Sequence, residues 1–389
     1  MSIGMGSPRI AVAYPNHRAT PLAGIQDFVG ALEQSAVVDQ FWVWDELTGW
    51  APQGFGIPAG MEAPDAHSTH DPFIECAFAL AASPRIGVRM TTDAVRSRPA
   101  ELTRTLLSLA SATQGTVTCA IGLGEARHMT PFGHPTGQAL SRLKDVLILI
   151  RTLLDTDEPF SYNGKRWNFD HGYLGTYRPA RPEIWGLGGG PKFTELCAQY
   201  ADGIESSFPN AVPNLDVFAS RVSAIRDRVE AAGRDPDEFG FGVWLPCGLH
   251  EDPEVIAAAQ ESPQIKWYSA SYGRMNQDEW RNEGLQSVFP RGWHYSNDYM
   301  PFTMTAAAAD AVVANVPREM CARSATWGTP EEAVKVGRAW IEAGATFVGL
   351  LDVMPLHTGA DGFPSSIARL LQVAAGLKAH TNNQSAEEN

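Results

Sequence analysis

A chain of 389 residues, 44% hydrophobic and 19% charged, has material for a large core, as one barrel with insertions or as two domains. Its net charge of −14 argues against nucleic acid or an anionic membrane surface as the main partner. Cys76, Cys119, Cys197, Cys247 and Cys321 lie far apart without CxxC spacing, which reads as reduced thiols in a cytoplasm. No stretch has the length of a signal-peptide core or of a membrane span, which needs ~20 apolar residues.

Arg9 to Tyr14 reads as a first strand, stopped by Pro15. Thr20 to Ala36 follows as an amphipathic helix with Thr20 as its cap and Pro21 at its first position. Gln40 to Leu47 is a second strand ending in Asp45-Glu46. Trp50 to His70, rich in glycine and proline, is a long loop, and Asp71 caps a helix through Ala82. Arg85 to Thr92 with its helix Arg98 to Ala112 is the third unit. Thr116 to Leu123, closing on Gly124-Glu125, is the fourth strand, with a helix from Thr136 to Leu154. A hairpin over 159–168 turns at Asn163-Gly164.

Ile184 to Leu187 is a short fifth strand, followed by Gly188-Gly189-Gly190, Pro191 and a helix carrying Phe193, Leu196, Cys197 and Tyr200 at helical spacing. A glycine turn that opens a helix presents free N–H groups and the positive end of the helix dipole, which suits a phosphate; taken alone, a plain tight turn fits equally well. Asp202 to Ser207 is a sixth strand, with a helix from Pro213 to Ala232, and Phe239 to Leu249 is a seventh. Residues 253–325 break the rhythm, with some helix and many aromatics. Thr329 caps a helix from Pro330 to Ala343, Thr346 to Asp352 is an eighth strand, and Ser365 to Leu377 is a closing helix. Residues 381–389 are polar and read as a disordered tail.

Eight strand–helix units with continuous apolar strands predict a (β/α)8 TIM barrel over 1–380, with insertions at the C-terminal face. A doubly wound sheet is the alternative, but no dinucleotide fingerprint follows the first strand. In such a barrel chemistry sits at the C-terminal strand ends, here Asp45-Glu46, Thr92-Asp93, Gly124-Glu125-Ala126-Arg127-His128, the glycine turn and Glu205-Ser206-Ser207. Each taken singly is more often a loop start than a catalytic group. Asp45 and Glu46 are neighbours, so only one faces the mouth while the strand continues. Glu125 supplies a second carboxyl beside whichever of Asp45 and Glu46 faces the mouth, and two carboxyls in one pocket push their pKa values apart, which lets one act as an acid near neutral pH. The histidines share no metal-ligand spacing, and no G-x-S-x-G follows a strand, so neither a metal nor a serine nucleophile is expected.

These residues resemble the luciferase-like monooxygenase superfamily in its branch using the deazaflavin coenzyme F420. The carriers are Phe41-Trp42-Val43-Trp44-Asp45, Thr92-Asp93-Ala94-Val95-Arg96-Ser97-Arg98-Pro99-Ala100, Gly122-Leu123-Gly124-Glu125, the Gly-Gly-Pro turn into Tyr200-Ala201-Asp202-Gly203, and Gly328-Thr329-Pro330-Glu331-Glu332-Ala333. Spacing and insertion look most like the phthiodiolone ketoreductase group. The resemblance implies a homodimeric barrel with the deazaflavin across its C-terminal mouth. It places Asp45, Thr92, Leu123, Gly124 and His128 at the ring system, and Gly189, Gly190, Lys192 and Phe193 at the phosphate. A non-proline cis peptide would fall at Arg89–Met90, which counts both residues among the cofactor-binding set. Glu125 matches an acid/base glutamate, and Ser207 a substrate-pocket position beside Trp50 on the long loop.

Two departures stand out against the glucose-6-phosphate dehydrogenase relatives: Glu46 replaces a histidine, and Asn210 replaces a sugar-phosphate lysine. The implied activity is hydride transfer between reduced F420 and a carbonyl, imine or activated alkene of a secondary-metabolite or lipid-type small molecule. An FMN-dependent monooxygenase, and a barrel that binds without catalysis, are the competing readings.

Overall fold

The computed structural model describes residues 7–53, 55, 65–178 and 180–387. Residues 56–64 of the long loop lie outside them, as do 1–6 and 388–389. Eight parallel strands close on themselves: β1 Arg9–Ala13, β2 Gln40–Val43, β3 Gly87–Asp93, β4 Val117–Gly122, β5 Glu183–Leu187, β6 Gly203–Ser207, β7 Gly240–Leu249 and β8 Phe347–Asp352. Each pairs with the next in this order, β6 with β7 and β8 with β1, so no edge remains, as the TIM-barrel reading requires.

The strand register sorts side chains into two layers. Phe41, Val43, Val88, Met90, Cys119, Ile121, Ile184, Phe241 and Val348 point outward into the layer shared with the helices. Ala11, Trp42, Ala120, Trp185, Trp244 and Phe347 fill the lumen. Gly203 and Gly240 make room for Trp185: a Cβ there would lie 2.6 and 2.2 Å from its ring. Arg89 also points inward and is fully buried. Its Nε donates to Glu205 Oε2 at 2.9 Å, and the rings of Trp185 and Phe347 cover it at 4.4 and 3.7 Å.

The helices wrap the outside: α1 Gly24–Ser35, α2 Pro72–Ala82, α3 Pro99–Ala110, α4 Ala139–Asp155, α5 Pro191–Tyr200, α6 Leu215–Ala231, α7 Pro330–Glu342 and α8 Phe363–Glu387. Asp71 caps α2 through Phe73 N–H, and Thr329 with Glu332 forms a full capping box on α7. Thr20 does not cap α1. The helix starts at Gly24, because Pro21, Leu22 and Ala23 close tight turns first and the Thr20 carbonyl is held by His70 Nε2. The hairpin is longer than expected, Phe160–Asn163 with Asn168–Gly172, and α8 runs through Glu387, into the segment read as a tail. No helix among the described residues is long and apolar enough to cross a membrane.

The insertion after β7 is helical and aromatic, with its own clusters around Trp267, Trp280, Trp293 and Tyr299. It ends in a short strand, Thr326–Gly328, that sequence reasoning misses and that extends the sheet beside Cys247. Bonds to Asn210 and Trp50 clasp it to the barrel: among them Asn210 Nδ2 donates to the Tyr272 carbonyl at 2.7 Å, and Trp267 Nε1 to the Trp50 carbonyl at 3.3 Å.

Candidate active site

At the C-terminal mouth, β2 ends at Val43, so Asp45 and Glu46 are off the strand and both turn into one rim. Asp45 is held from β3. Thr92 Oγ1 donates to its Oδ2 at 2.7 Å, and Arg96 reaches its Oδ1 at 3.1 Å and its carbonyl at 3.0 Å. Arg96 is itself fixed by Asp93. Burial raises the Asp45 pKa while Arg96 and Thr92 pull it down. With both oxygens bonded, Asp45 positions the loop after β3 and offers its remaining lone pairs to a ligand.

The turn after β4 is the denser part. Gly124 has φ +86°, and a Cβ there would meet Met129 Cε at 1.7 Å, so only glycine serves. The chain then makes one helical turn, Ala126–Met129, which buries Arg127 and His128. Arg127 is 2% exposed, and its guanidinium divides three ways: Nε to Glu125 Oε2, Nη2 to Glu46 Oε1 and Nη1 to the Thr48 carbonyl, each at 2.7 Å. The ring of Tyr295, from the insertion, faces it at 5.8 Å. Burial pushes the Glu125 carboxyl up, against the pull of Arg127.

His128 Nδ1 accepts the Leu47 N–H at 3.3 Å, which leaves the ring proton on Nε2, 3.8 Å from Glu125 Oε2. Burial, Arg127 and Arg96 drive its pKa far down, so the imidazole is neutral. Across the mouth Ser207, at the end of β6, lies near the hydroxyl of Tyr272. Trp42 packs edge to face on Trp44 and Trp244 beneath, with centroids 4.9 and 4.8 Å away.

The glycine turn lies on the same rim after β5. Gly188 and Gly190 have φ +141° and +91°, values that a side chain would strain. Among the described residues the peptide N–H groups of Gly189 and Gly190 donate to no acceptor. Gly189, Gly190 and Lys192 are exposed, and Arg221 from α6 brings Nη1 to 3.9 Å from where a Gly189 Cβ would stand. Phe193 instead is 2% exposed and packs under Gly188 as an anchor for the turn. Free donors, cationic side chains and the start of a ten-residue helix fit an anionic phosphate group.

The structure therefore brings Asp45, Glu46, Thr92, Gly124, Glu125, His128 and Ser207 to the mouth, with half-buried Leu123 beside them. It moves two residues elsewhere. The bond expected to be cis between Arg89 and Met90 is not: among the described residues only Phe208–Pro209 is cis. β3 is paired in continuous register with β2 and β4 through both residues, which keeps the backbone extended. Met90 faces the helices and Arg89 lies in the lumen, so neither lines the mouth. Trp50 sits at the insertion side, its ring 6.3 Å from Tyr268.

Sequence reasoning missed Arg96, Arg127, Arg221 and Tyr272. Arg127 stands inside the strand-four motif, where the alternation Glu125-x-Arg127 is its only signal. Tyr272 carries none.

The fold is similar to an F420-dependent secondary alcohol dehydrogenase solved with an F420-acetone adduct, at TM-score 0.72 and 16% identity over 96% of this chain and 99% of that one. It is also similar to the coenzyme F420 dependent tetrahydromethanopterin reductase from Methanopyrus kandleri, at TM-score 0.68 and 12% identity over 97% and 100%. A riboflavin lyase solved with modified FMN gives TM-score 0.65 and 17% identity over 95% and 91%. A comparison with functionally curated sequences finds no match. The sequence profile described as luciferase-like monooxygenase matches residues 12–346, and the chain belongs to that family.

Proposed function

We propose that this protein is an oxidoreductase that works with coenzyme F420, passing a hydride between the reduced deazaflavin and a carbonyl, imine or activated alkene of a secondary-metabolite or lipid-type substrate. The observation that carries the reading is the convergence, on one rim, of an anion-ready glycine turn with a partly buried carboxyl. Gly189, Gly190 and Lys192 would hold the phosphate, with Arg221 beside them. Asp45, Thr92, Leu123, Gly124 and His128 would border the ring system, and Phe193 supports the turn from beneath. When bound, the deazaflavin supplies or accepts the hydride.

The chain's own task is proton transfer and positioning. In the reducing direction the substrate oxygen or nitrogen needs a proton as its double bond opens, and Glu125, raised by burial, is placed to donate it, with Glu46 alongside. In the oxidising direction the same carboxylate accepts it. Ser207 and Trp50 mark the substrate side. Neutral His128 can donate from Nε2 but adds no charge to the mouth.

The likeness to the riboflavin lyase solved with modified FMN supports a second reading, an FMN-dependent monooxygenase. Fluorescence titration of the purified protein with F420 and with FMN separates the two. Saturable F420 binding is expected, and tight FMN binding without F420 binding would sink the first reading. We take the active species to be a homodimer. The exposed apolar Ile74 and Phe78 on the outer face of α2 support this, and light scattering tests it.

A further inference from the structure

We propose that Glu46, Arg127 and Glu125 form a charge-balanced triad in which one exchangeable proton is shared between the two carboxyls, with Arg127 as the positioning residue that keeps it at the mouth. The proposal deepens the oxidoreductase reading, on which its purpose rests. Three observations carry it.

The first is stoichiometry. A guanidinium stays protonated, so two ionised carboxylates bonded to one arginine leave a net charge of −1. The second is burial. The guanidinium is sealed behind Thr48 and Tyr295, while the Glu46 and Glu125 side chains keep 21% and 29% exposure toward the mouth. An uncompensated charge in such a place is disfavoured, and one proton returns the triad to neutrality.

The third is the absence of a second counter-charge among the surrounding groups. Arg96 is taken by Asp45 and Asp93. His128 and His67 are held toward the neutral form by burial. Burial likewise raises Tyr272, Tyr295 and Tyr299, so all three keep their protons. The surplus is therefore not cancelled by a neighbour. The one proton is shared between the two carboxyls, and its loss leaves both ionised on a single guanidinium at net −1.

An infrared titration of the full-length protein without cofactor reads this directly, through the C=O band of a protonated carboxyl. Glu75 and Asp352 also have raised pKa values, so Glu75→Gln serves as background and variants are compared as differences. The otherwise wild-type protein should lose one carboxyl band above the usual carboxylate range, the direction in which burial moves Glu125. In Glu46→Gln the Glu125 carboxylate has the guanidinium to itself and its band should be lost at lower pH, while Glu125→Gln should remove the band. Arg127→Gln should move the band the other way; should it fail to fold by circular dichroism, the two glutamine variants still decide. A wild-type protein with no such band, or one whose band survives unchanged in both glutamine variants, overturns the triad. Because the band is read without cofactor, failure to bind F420 would defeat the proposed function and leave this result standing.

Discussion

Two buried arginines divide the barrel between them. Arg89, deep in the lumen, holds one carboxylate, Glu205, with both side chains fully buried and the rings of Trp185 and Phe347 against the guanidinium. Arg127, at the mouth, holds two carboxylates that both reach solvent. The inner pair is neutral and sealed, so it has no proton to exchange. The outer set has one carboxylate more than its arginine balances and an opening, so on the proposed reading it holds a proton that a bound molecule can reach. The same residue types thus make a sealed pair at one depth and a solvent-reached set at another, and stoichiometry with access separates the two.

That contrast can be broken from either side. Arg89→Ala should cost about 3–5 kcal/mol by leaving Glu205 unpaired in the lumen, read as a lowered denaturant midpoint. Turnover per folded molecule should stay unchanged. The double change Arg89→Met with Glu205→Leu should recover most of that loss. Glu125→Gln should do the opposite, cutting turnover about a hundredfold while stability and cofactor affinity stay within a few fold.

Glu75 offers a third case, a buried carboxyl on α2 with no arginine at all. Among the described residues neither of its oxygens finds a partner, and burial with nearby Asp71 raises its pKa to about 8. The folded state therefore binds this proton more tightly than the unfolded chain. The stabilisation is full below pH ~4.5 and is lost as pH rises to about 8, by about 1.4 kcal/mol per unit across that window. Glu75→Gln should flatten the slope and be the more stable form at pH 8, by about 1–3 kcal/mol, measured by urea unfolding at pH 5 and pH 8. The smallest effect belongs to the exposed end of the comparison: Lys192→Ala should weaken binding of an anionic cofactor about two- to fivefold, more so at low salt.

The barrel was legible because its strands are continuous apolar runs and its helices carry caps such as Asp71 and Thr329. These signals are local. Thr20 misled because a capping residue type is also a turn residue, and His70 captured its carbonyl from fifty positions away. Glu125, Glu46 and His128 stood out as polar residues at strand ends. Arg127 did not, because an arginine beside a glutamate reads as a solvated pair until the barrel brings the β2 and β4 ends together. Tyr272 reaches Ser207 only through the clasp at Asn210, a contact between distant segments that no local pattern announces. The implied cis bond at Arg89–Met90 failed against strand pairing on both sides.

The central claim, that this mouth delivers hydride and proton together, is tested most directly by anaerobic oxidation of reduced F420 in the presence of a panel of aldehydes, ketones, imines and enones. The account predicts substrate-dependent oxidation by the wild type that falls about a hundredfold in Glu125→Gln. Turnover seen only with FMN and oxygen, or equal rates in the two proteins, would contradict it.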